Sequence, residues 1–351
     1  MQNTQAPFPN PLQRRIDISN PSLSNPSAGA VVTPATEFIG ERYATSDRFL
    51  TPRIQQWNLG MQRSLYRRGV IEIGYAGSRG EHLIRPVDIN QPQPQDLLAA
   101  GGRINLVRPY KGYDSIYMRE TSAQSWYHGL LASFRHAGGR AGTLVLNYTL
   151  SRNKTDATLD NDTVFGLPQN PLDKHAEFAA AQTDRTHVFS GYYVYELPFF
   201  RRSGETALKA LLGGWQVAGI TTAASGPAAR LRVGITRRPN QVGDPGAGDQ
   251  AGLLWFNPGA FVLPAPGTYG TAPVAPLRLP GYHQWDISPA KNFYLGEEIR
   301  LQLRADFINA FNQTQFRDVN TSCCTQFNSS FGKVVTMHAP REIQLGFRFF
   351  W

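Results

Sequence analysis

The amino-acid sequence predicts an all-β protein, an antiparallel transmembrane β-barrel sheet with long loops at one end. Three observations carry that expectation: a strand pattern that runs to the last residue, connections that are short and long by turns, and a polarity supplied by uncharged side chains. In residues 341–351, Ile343, Leu345, Phe347, Phe349 and Trp351 fall on one face at period 2, with Glu342, Gln344, Gly346 and Arg348 on the other. A soluble edge strand would need a core against so large an aromatic face and would end in polar residues or a turn. A strand between lipid and a polar lumen needs neither. Only 17% of the residues are charged, against about 25% in an average soluble domain. Mean hydropathy is nevertheless −0.34, because 33 Gly, 25 Pro and many Asn, Gln, Ser and Thr supply the polarity.

Residues 1–50, with Pro7, Pro9, Pro11, Pro21 and Pro26 and no sustained period, are expected to be irregular, and residues 51–351 to form the barrel part. Trp57, Leu59 and Met61 alternate with Asn58, Gly60 and Gln62. A turn near Arg68 then leads to Ile71, Ile73 and Tyr75 alternating with Glu72, Gly74 and Ala76, which makes a hairpin. Residues 80–125 read as irregular. A second hairpin joins 126–136 to 143–152 through Gly138-Gly139, with Leu144, Leu146, Tyr148 and Leu150 on one face. After a loop over 153–185, Phe189, Gly191, Tyr193, Tyr195 and Leu197 alternate with Ser190, Tyr192, Val194 and Glu196, and a moderate connection leads to 215–225, which carries no charge. The longest irregular stretch, 226–281, precedes a third hairpin, 282–294 with 299–310. There Ile299, Leu301, Leu303, Ala305 and Phe307 point opposite to Arg300, Gln302, Arg304 and Asp306. Residues 311–340 lead to the terminal strand.

That makes nine strands, with short connections near Arg68, Gly139, Arg201 and Gly296. Outer-membrane barrels keep this order because periplasmic turns are short and outward loops long. The β-like piece 331–337 is assigned to a loop ribbon, since counting it as a crossing would break the parity. Nine is odd, single-chain bacterial barrels have even numbers, and unpaired edges in hydrocarbon cost several kcal/mol per backbone group. The expectation is therefore the C-terminal part of a larger barrel, about 9–12 of its strands, unless 81–125 hides further strands. The start, Met1-Gln2-Asn3-Thr4-Gln5, lacks the basic and apolar regions of a signal peptide, so the expectation at this point is either a cytoplasmic protein or a natural product that starts further upstream.

The formal charge of +9 comes from 35 basic against 26 acidic residues, but no Lys/Arg run exceeds two, so nucleic acid is not expected as a partner. The basic residues are read as lumen and loop groups, some pairing with lipid phosphates. Cys323 and Cys324 are adjacent, which suits neither a zinc site nor a disulfide framework; a vicinal disulfide is one reading, two ordinary loop residues the favoured one. His187 and Ser190, at i and i+3 on a strand, point to opposite faces and make no dyad. His128, His136 and His175 show no ligand spacing. Asp156 with Asp160 and Asp162 lacks the order of a calcium loop and reads as a solvated acidic patch, and Gly243-Asp244-Pro245-Gly246 lacks the strand and helix of a phosphate loop. No catalytic residue, cofactor or metal is expected, and the chain is not read as an enzyme. Trp57, Trp126, Trp215, Trp285, Tyr192, Tyr195 and Trp351 offer stacking faces for sugars, but near strand ends the favoured reading puts them in the interfacial aromatic girdles; Ile343, Leu345, Phe347, Phe349 and Trp351 are expected against lipid.

Phrases along the hairpins carry a resemblance: Gly74-Tyr75-Ala76-Gly77-Ser78-Arg79-Gly80, Ile89-Asn90-Gln91, Asn147-Tyr148-Thr149-Leu150-Ser151-Arg152, Gly213-Gly214-Trp215-Gln216-Val217, Trp255-Phe256-Asn257-Pro258, Arg304-Ala305-Asp306-Phe307-Ile308-Asn309-Ala310-Phe311-Asn312 and Pro340-Arg341-Glu342-Ile343-Gln344-Leu345-Gly346. From about residue 50 onward the chain resembles the barrel of Oar-like TonB-dependent outer-membrane receptors. The resemblance implies a barrel of about 22 strands in the outer membrane of a Gram-negative bacterium, closed by an N-terminal plug and energised by TonB. It implies as partners outer-membrane lipid and lipopolysaccharide, the barrel-assembly machinery, TonB only through the plug, and a small-molecule or oligomeric substrate. Signal sequence, TonB box, plug and regulatory domain are not found in these residues, so active transport is expected of the parent protein. Ligand recognition is expected in the loops 80–125, 153–185, 226–281 and 312–340. The open alternatives are a passive pore or surface adhesin on the same barrel, and a soluble secreted β-protein.

Overall fold

The computed structural model describes residues 40–65, 68–138, 142–157, 166–198, 212–234, 237–246, 253–294, 299–324 and 330–351. Among the described residues nine long strands form one antiparallel sheet in strict chain order: β1 Arg53–Leu65, β2 Gly69–Asp88, β3 Ile116–Ala137, β4 Thr143–Thr155, β5 His187–Glu196, β6 Trp215–Ala224, β7 Tyr282–Tyr294, β8 Arg300–Ile308 and β9 Glu342–Phe350. Every neighbouring pair is consecutive in sequence, so the order is a meander. Short connections join β1–β2, β3–β4, β5–β6 and β7–β8 at one end; long ones, 89–115, 156–186, 225–281 and 309–341, gather at the other. The short turns themselves fall largely outside the described residues.

Register fixes which side chains share a face. Leu65 pairs with Gly69, and the same row continues through His136, Leu144, Tyr193, Gly219, Ile287 and Phe307 to Ile343. Because side chains alternate, every residue two steps from a member of this row lies on the same face. That face carries Leu59, Met61, Ile71, Ile73, Leu130, Phe134, Leu146, Leu150, Phe189, Leu301, Leu303, Leu345 and Phe347. The opposite face carries a row of Gln62, Glu72, Ser133, Asn147, Ser190, Thr222 and Gln284. The apolar row starts at the short-connection end, on the last residue of β1, and climbs to the second residue of β9 at the long-connection end. Such a stagger is the shear that tilted barrel strands require.

The cluster of buried apolar side chains among the described residues is not in the sheet. Leu231, Val233, Phe256, Ala260, Phe261, Ala272, Val319, Cys323 and Phe331 form it, and none belongs to the nine strands. The rings of Phe256, Phe261 and Phe331 meet edge to face with centroids 5.1–6.2 Å apart, a geometry favoured by their quadrupoles. This core lies in the third and fourth long connections. Loops expected to be irregular are therefore a packed layer over one end of the sheet, pinned by ribbons such as Phe316–Val319 with Val334–Met337. Val334–Met337 stays off the sheet, in the ribbon that parity assigns to it.

Several expectations need correction. Residues 80–125 hold the outer parts of β2 and β3 and two short helices, Pro94–Ala99 and Ile104–Val107. Register shifts after Gly80 and Leu83, with His82 at φ 54°, break the period that would have revealed them. Within 1–50, Arg42–Thr45 is a strand running parallel to Ile116–Arg119 of β3, while 1–39 lie outside the described residues. Cys323 and Cys324 are disulfide-bonded to each other, and Cys323 is buried in the loop core. The apolar character of its neighbours, distant in sequence, is what converts an expected loop residue into a core residue.

Candidate functional site: the loop layer and the two rims

The outer parts of β2 and β3 stand above the rim and the long connections fasten to them by buried polar groups. Arg85, 1% exposed, is ion-paired with Asp156 and donates to the carbonyls of Lys174 at 3.0 Å and Ser122 at 3.3 Å. Asp156 also accepts from the Gln124 backbone N–H at 2.7 Å. Asp156 is thus a buried strut and not part of a solvated patch; Asp160 and Asp162 lie outside the described residues. The reason is the Arg85 guanidinium, which arrives from 71 residues away and compensates the desolvated carboxylate. Asn90, fully buried, donates to the carbonyls of Tyr110, Tyr113 and Asp114 and accepts from the Tyr110 N–H, closing the first connection. Gln169 ties the second connection to the third: its amide donates to Gly270 O at 3.1 Å and accepts from the N–H of Arg238 and Gly270. Tyr269 donates to Gln93 at 3.1 Å, and burial raises its phenol above the ordinary value. Burial lowers Arg230, which Glu177 supports and the charges of Arg232 and Arg238 oppose.

Between the first two connections lies a cavity of about 240 Å³ lined by Gln91, Gln93, Asp96, Glu120, Leu172 and Lys174, among others. The Lys174 ammonium is 2.6 Å from Glu120. The charged groups Asp96, Glu120 and Lys174 face the cavity beside Val87, Ile89 and Val107. His187 accepts or donates to the Tyr148 hydroxyl at 2.7 Å on the apolar face, while Ser190 lies on the polar face beside Asn147. Among the described residues no group of His, Cys, Asp and Glu has metal-site geometry.

Of the aromatics singled out above all but Tyr192 sit on the apolar face, at its two ends; Tyr192, two residues from Ser190, lies on the polar face and is no girdle residue. Trp57, Trp126 and Trp285 lie toward the long connections; Trp215 opens β6 and Tyr195 nearly closes β5, both at the short-connection end. Trp351 stacks on Phe349 at 5.7 Å. The Trp57 indole lies over Gly77, where an added Cβ would come within 2.2 Å of it, and Tyr193 covers Gly219 likewise at 2.4 Å. Such cross-strand cover of glycine by an aromatic restores side-chain packing that glycine lacks. At the short-connection end Lys291, on the same face, donates to the carbonyl of Gly213 between the rings of Trp215 and Phe293. Sequence reasoning missed it; a lysine inside an otherwise apolar strand face was the available signal.

A family profile described as the outer membrane beta barrel domain matches residues 1–344. The chain belongs to that family. It is an outer-membrane β-barrel protein, in agreement with its antiparallel meander, its staggered rows and its single apolar face. Among solved structures it is similar to the outer membrane transporter YddB from Escherichia coli, at 12% identity and a TM-score of 0.47 over 88% of this chain and 34% of that one. It is also similar to FpvA of P. aeruginosa bound to heterologous pyoverdines, at 11% identity and a TM-score of 0.42 over 85% and 27%. A third similarity is to the FrpB iron transporter from Neisseria meningitidis, at 11% and 0.40 over 87% and 32%. The chain thus spans between 27% and 34% of the length of these structures. None of the curated proteins matches it.

Proposed function

We propose that this outer-membrane barrel domain is the C-terminal barrel portion of an Oar-like TonB-dependent receptor, in which uptake of a nutrient is energy-coupled. The observation that carries the reading is the loop layer: four long connections at one end of the sheet, the third and fourth packed on a core of their own and the first two tied to them by Tyr269 with Gln93 and Gln169 with Gly270. Loops of this length are disordered or functional, and a packed layer fastened by Arg85–Asp156 and Gln169 supports function. The apolar face meets lipid, with Ile343, Leu345, Phe347, Phe349 and Trp351 along its last strand, and the polar face lines the lumen. Trp57, Trp126 and Trp285 form the outer girdle, Trp215 and Tyr195 the inner one. Strands preceding β1 complete the barrel in this reading, toward the family's count of about 22. TonB reaches such a receptor through its plug, so no residue of this sheet is expected to contact it.

Replacing 225–281 by a short turn in the full-length receptor tests the assignment. Outer-membrane assembly should persist while TonB-dependent accumulation of the transported nutrient, screened across metal chelates, oligosaccharides and peptides, is lost. Accumulation that survives the replacement, or that is equal in cells without TonB, would instead favour a passive pore.

A further inference from the structure

The cavity between the first two connections is built from three segments: the outer end of β2 with the chain that follows it, Glu120 of β3, and 171–174. Its frame is fixed. Arg85 holds the Lys174 carbonyl at 3.0 Å, Asn90 closes the first connection through Tyr110 and Asp114, and Pro92, Pro109 and Pro171 in the lining restrict the backbone around it. Its volume of about 240 Å³ lies below the roughly 300–1,000 Å³ that takes a whole drug-sized ligand. It therefore admits a small molecule or one arm of a larger one.

The polar groups of the lining favour a cation. Glu120 Oε1 accepts from Lys174 Nζ at 2.6 Å and from Ser122 Oγ, which leaves Oε2 without a partner among the described residues. The Asp96 carboxylate is exposed and likewise has none among them. Gln91 donates its amide N–H to Gln169 O at 2.8 Å, and its carbonyl oxygen stays open. Two carboxylates thus stand against one ammonium, and that ammonium is already engaged. Elsewhere in the lining Val87, Ile89, Val107 and Leu172 present aliphatic side chains. A bare metal ion would use the carboxylates and leave this surface idle. An ammonium on a methylene chain uses both, its head donating to the carboxylates and its stem lying on the aliphatic side chains.

We propose that this cavity binds the ammonium-terminated aliphatic arm of an organic cation, with Asp96, Glu120 Oε2 and Gln91 Oε1 receiving the head and Val87, Val107 and Leu172 the stem. The site rests on the receptor reading and narrows it: the arm belongs to the transported nutrient, as a free diamine or as the lysine side chain of a peptide. The Glu120 side chain is only 16% exposed, and a charge-assisted hydrogen bond gains strength where water is partly excluded.

The test uses protein extracted from outer membranes in mild detergent, with binding measured by isothermal titration calorimetry. The probes are cadaverine, Nα-acetyl-lysine amide and, as the uncharged counterpart, Nα-acetyl-norleucine amide. At least one of the two cations should bind about tenfold or more tighter than the norleucine probe. Cadaverine ahead names a free amine as the nutrient, and the lysine probe ahead names a peptide. Asp96→Asn, on an exposed side chain, should weaken cation binding by about tenfold, and Glu120→Gln should do the same, while Arg317→Gln in the loop ribbon leaves it unchanged. If Glu120→Gln assembles poorly because Lys174 loses its counter-charge, Asp96→Asn alone decides. Equal affinity for the norleucine probe, no binding of any probe, or undiminished affinity in Asp96→Asn overturns the site. TonB-dependent accumulation of another nutrient by the same cells would then leave the receptor reading standing. Cation binding to a protein whose accumulation is equal in cells without TonB would keep the site and sink the receptor reading.

Discussion

Phe347 and Arg348 are neighbours in β9 with opposite duties. Phe347 is 75% exposed on the apolar face and pairs with Leu303; Arg348 pairs with Gln302 on the polar one. Phe347→Arg should cost about 2–4 kcal/mol near mid-membrane and lower the yield of assembled protein in a refolding titration, whereas Arg348→Ala should be mild. Equal yields would invert the facing. Gly77→Val tests the aromatic cover: the new branched side chain would occupy the space of the Trp57 indole, so Trp57 fluorescence should shift toward that of an exposed ring. An unchanged spectrum would mean that the indole does not rest on Gly77. Both facings were legible in the sequence because period 2 survives wherever a strand is flat and one side is apolar. The ion pair of Arg85 with Asp156 was not, since nothing local announces a partner 71 residues away.

At the scale of elements, the sheet and the loop layer should respond separately. Phe256 is 2% exposed in the loop core, so Phe256→Ala should cost that layer about 3–5 kcal/mol. Proteolysis within 225–281 should accelerate while strand circular dichroism stays constant; a joint loss would mean that the layer and sheet fold as one unit. Asp156→Asn leaves the Arg85 guanidinium buried without a counter-charge, at a cost of about 3–5 kcal/mol. Its effect should show as faster amide exchange at the outer ends of β2 and β3, and protection equal to that of the wild type would contradict the strut. The nine crossings and their short and long connections were readable from periodicity. The outer ends of β2 and β3 were not, because two register shifts between Gly80 and Arg85 reset the alternation. Neither was the loop core: Leu231, Phe256, Phe261 and Phe331 have no common period, and only tertiary packing brings them together.

On the scale of the whole molecule, one row of backbone pairs joins Leu65 to Ile343 across all nine strands, so a single choice of side fixes the environment of the entire sheet. That choice links the terminal strand and the two aromatic belts into one claim, that the apolar face is the lipid face of an outer-membrane barrel. Accessibility of single nitroxide labels in outer-membrane vesicles tests it most directly, with labels at Leu303, Gln302, Leu345 and Gln344. The existing cysteines are bonded to each other, and no free cysteine is present among the described residues. Labels at 303 and 345 should collide with dissolved oxygen and be shielded from a water-soluble nickel chelate, and labels at 302 and 344 should show the reverse; the absence of alternation, or its opposite phase, would contradict the account.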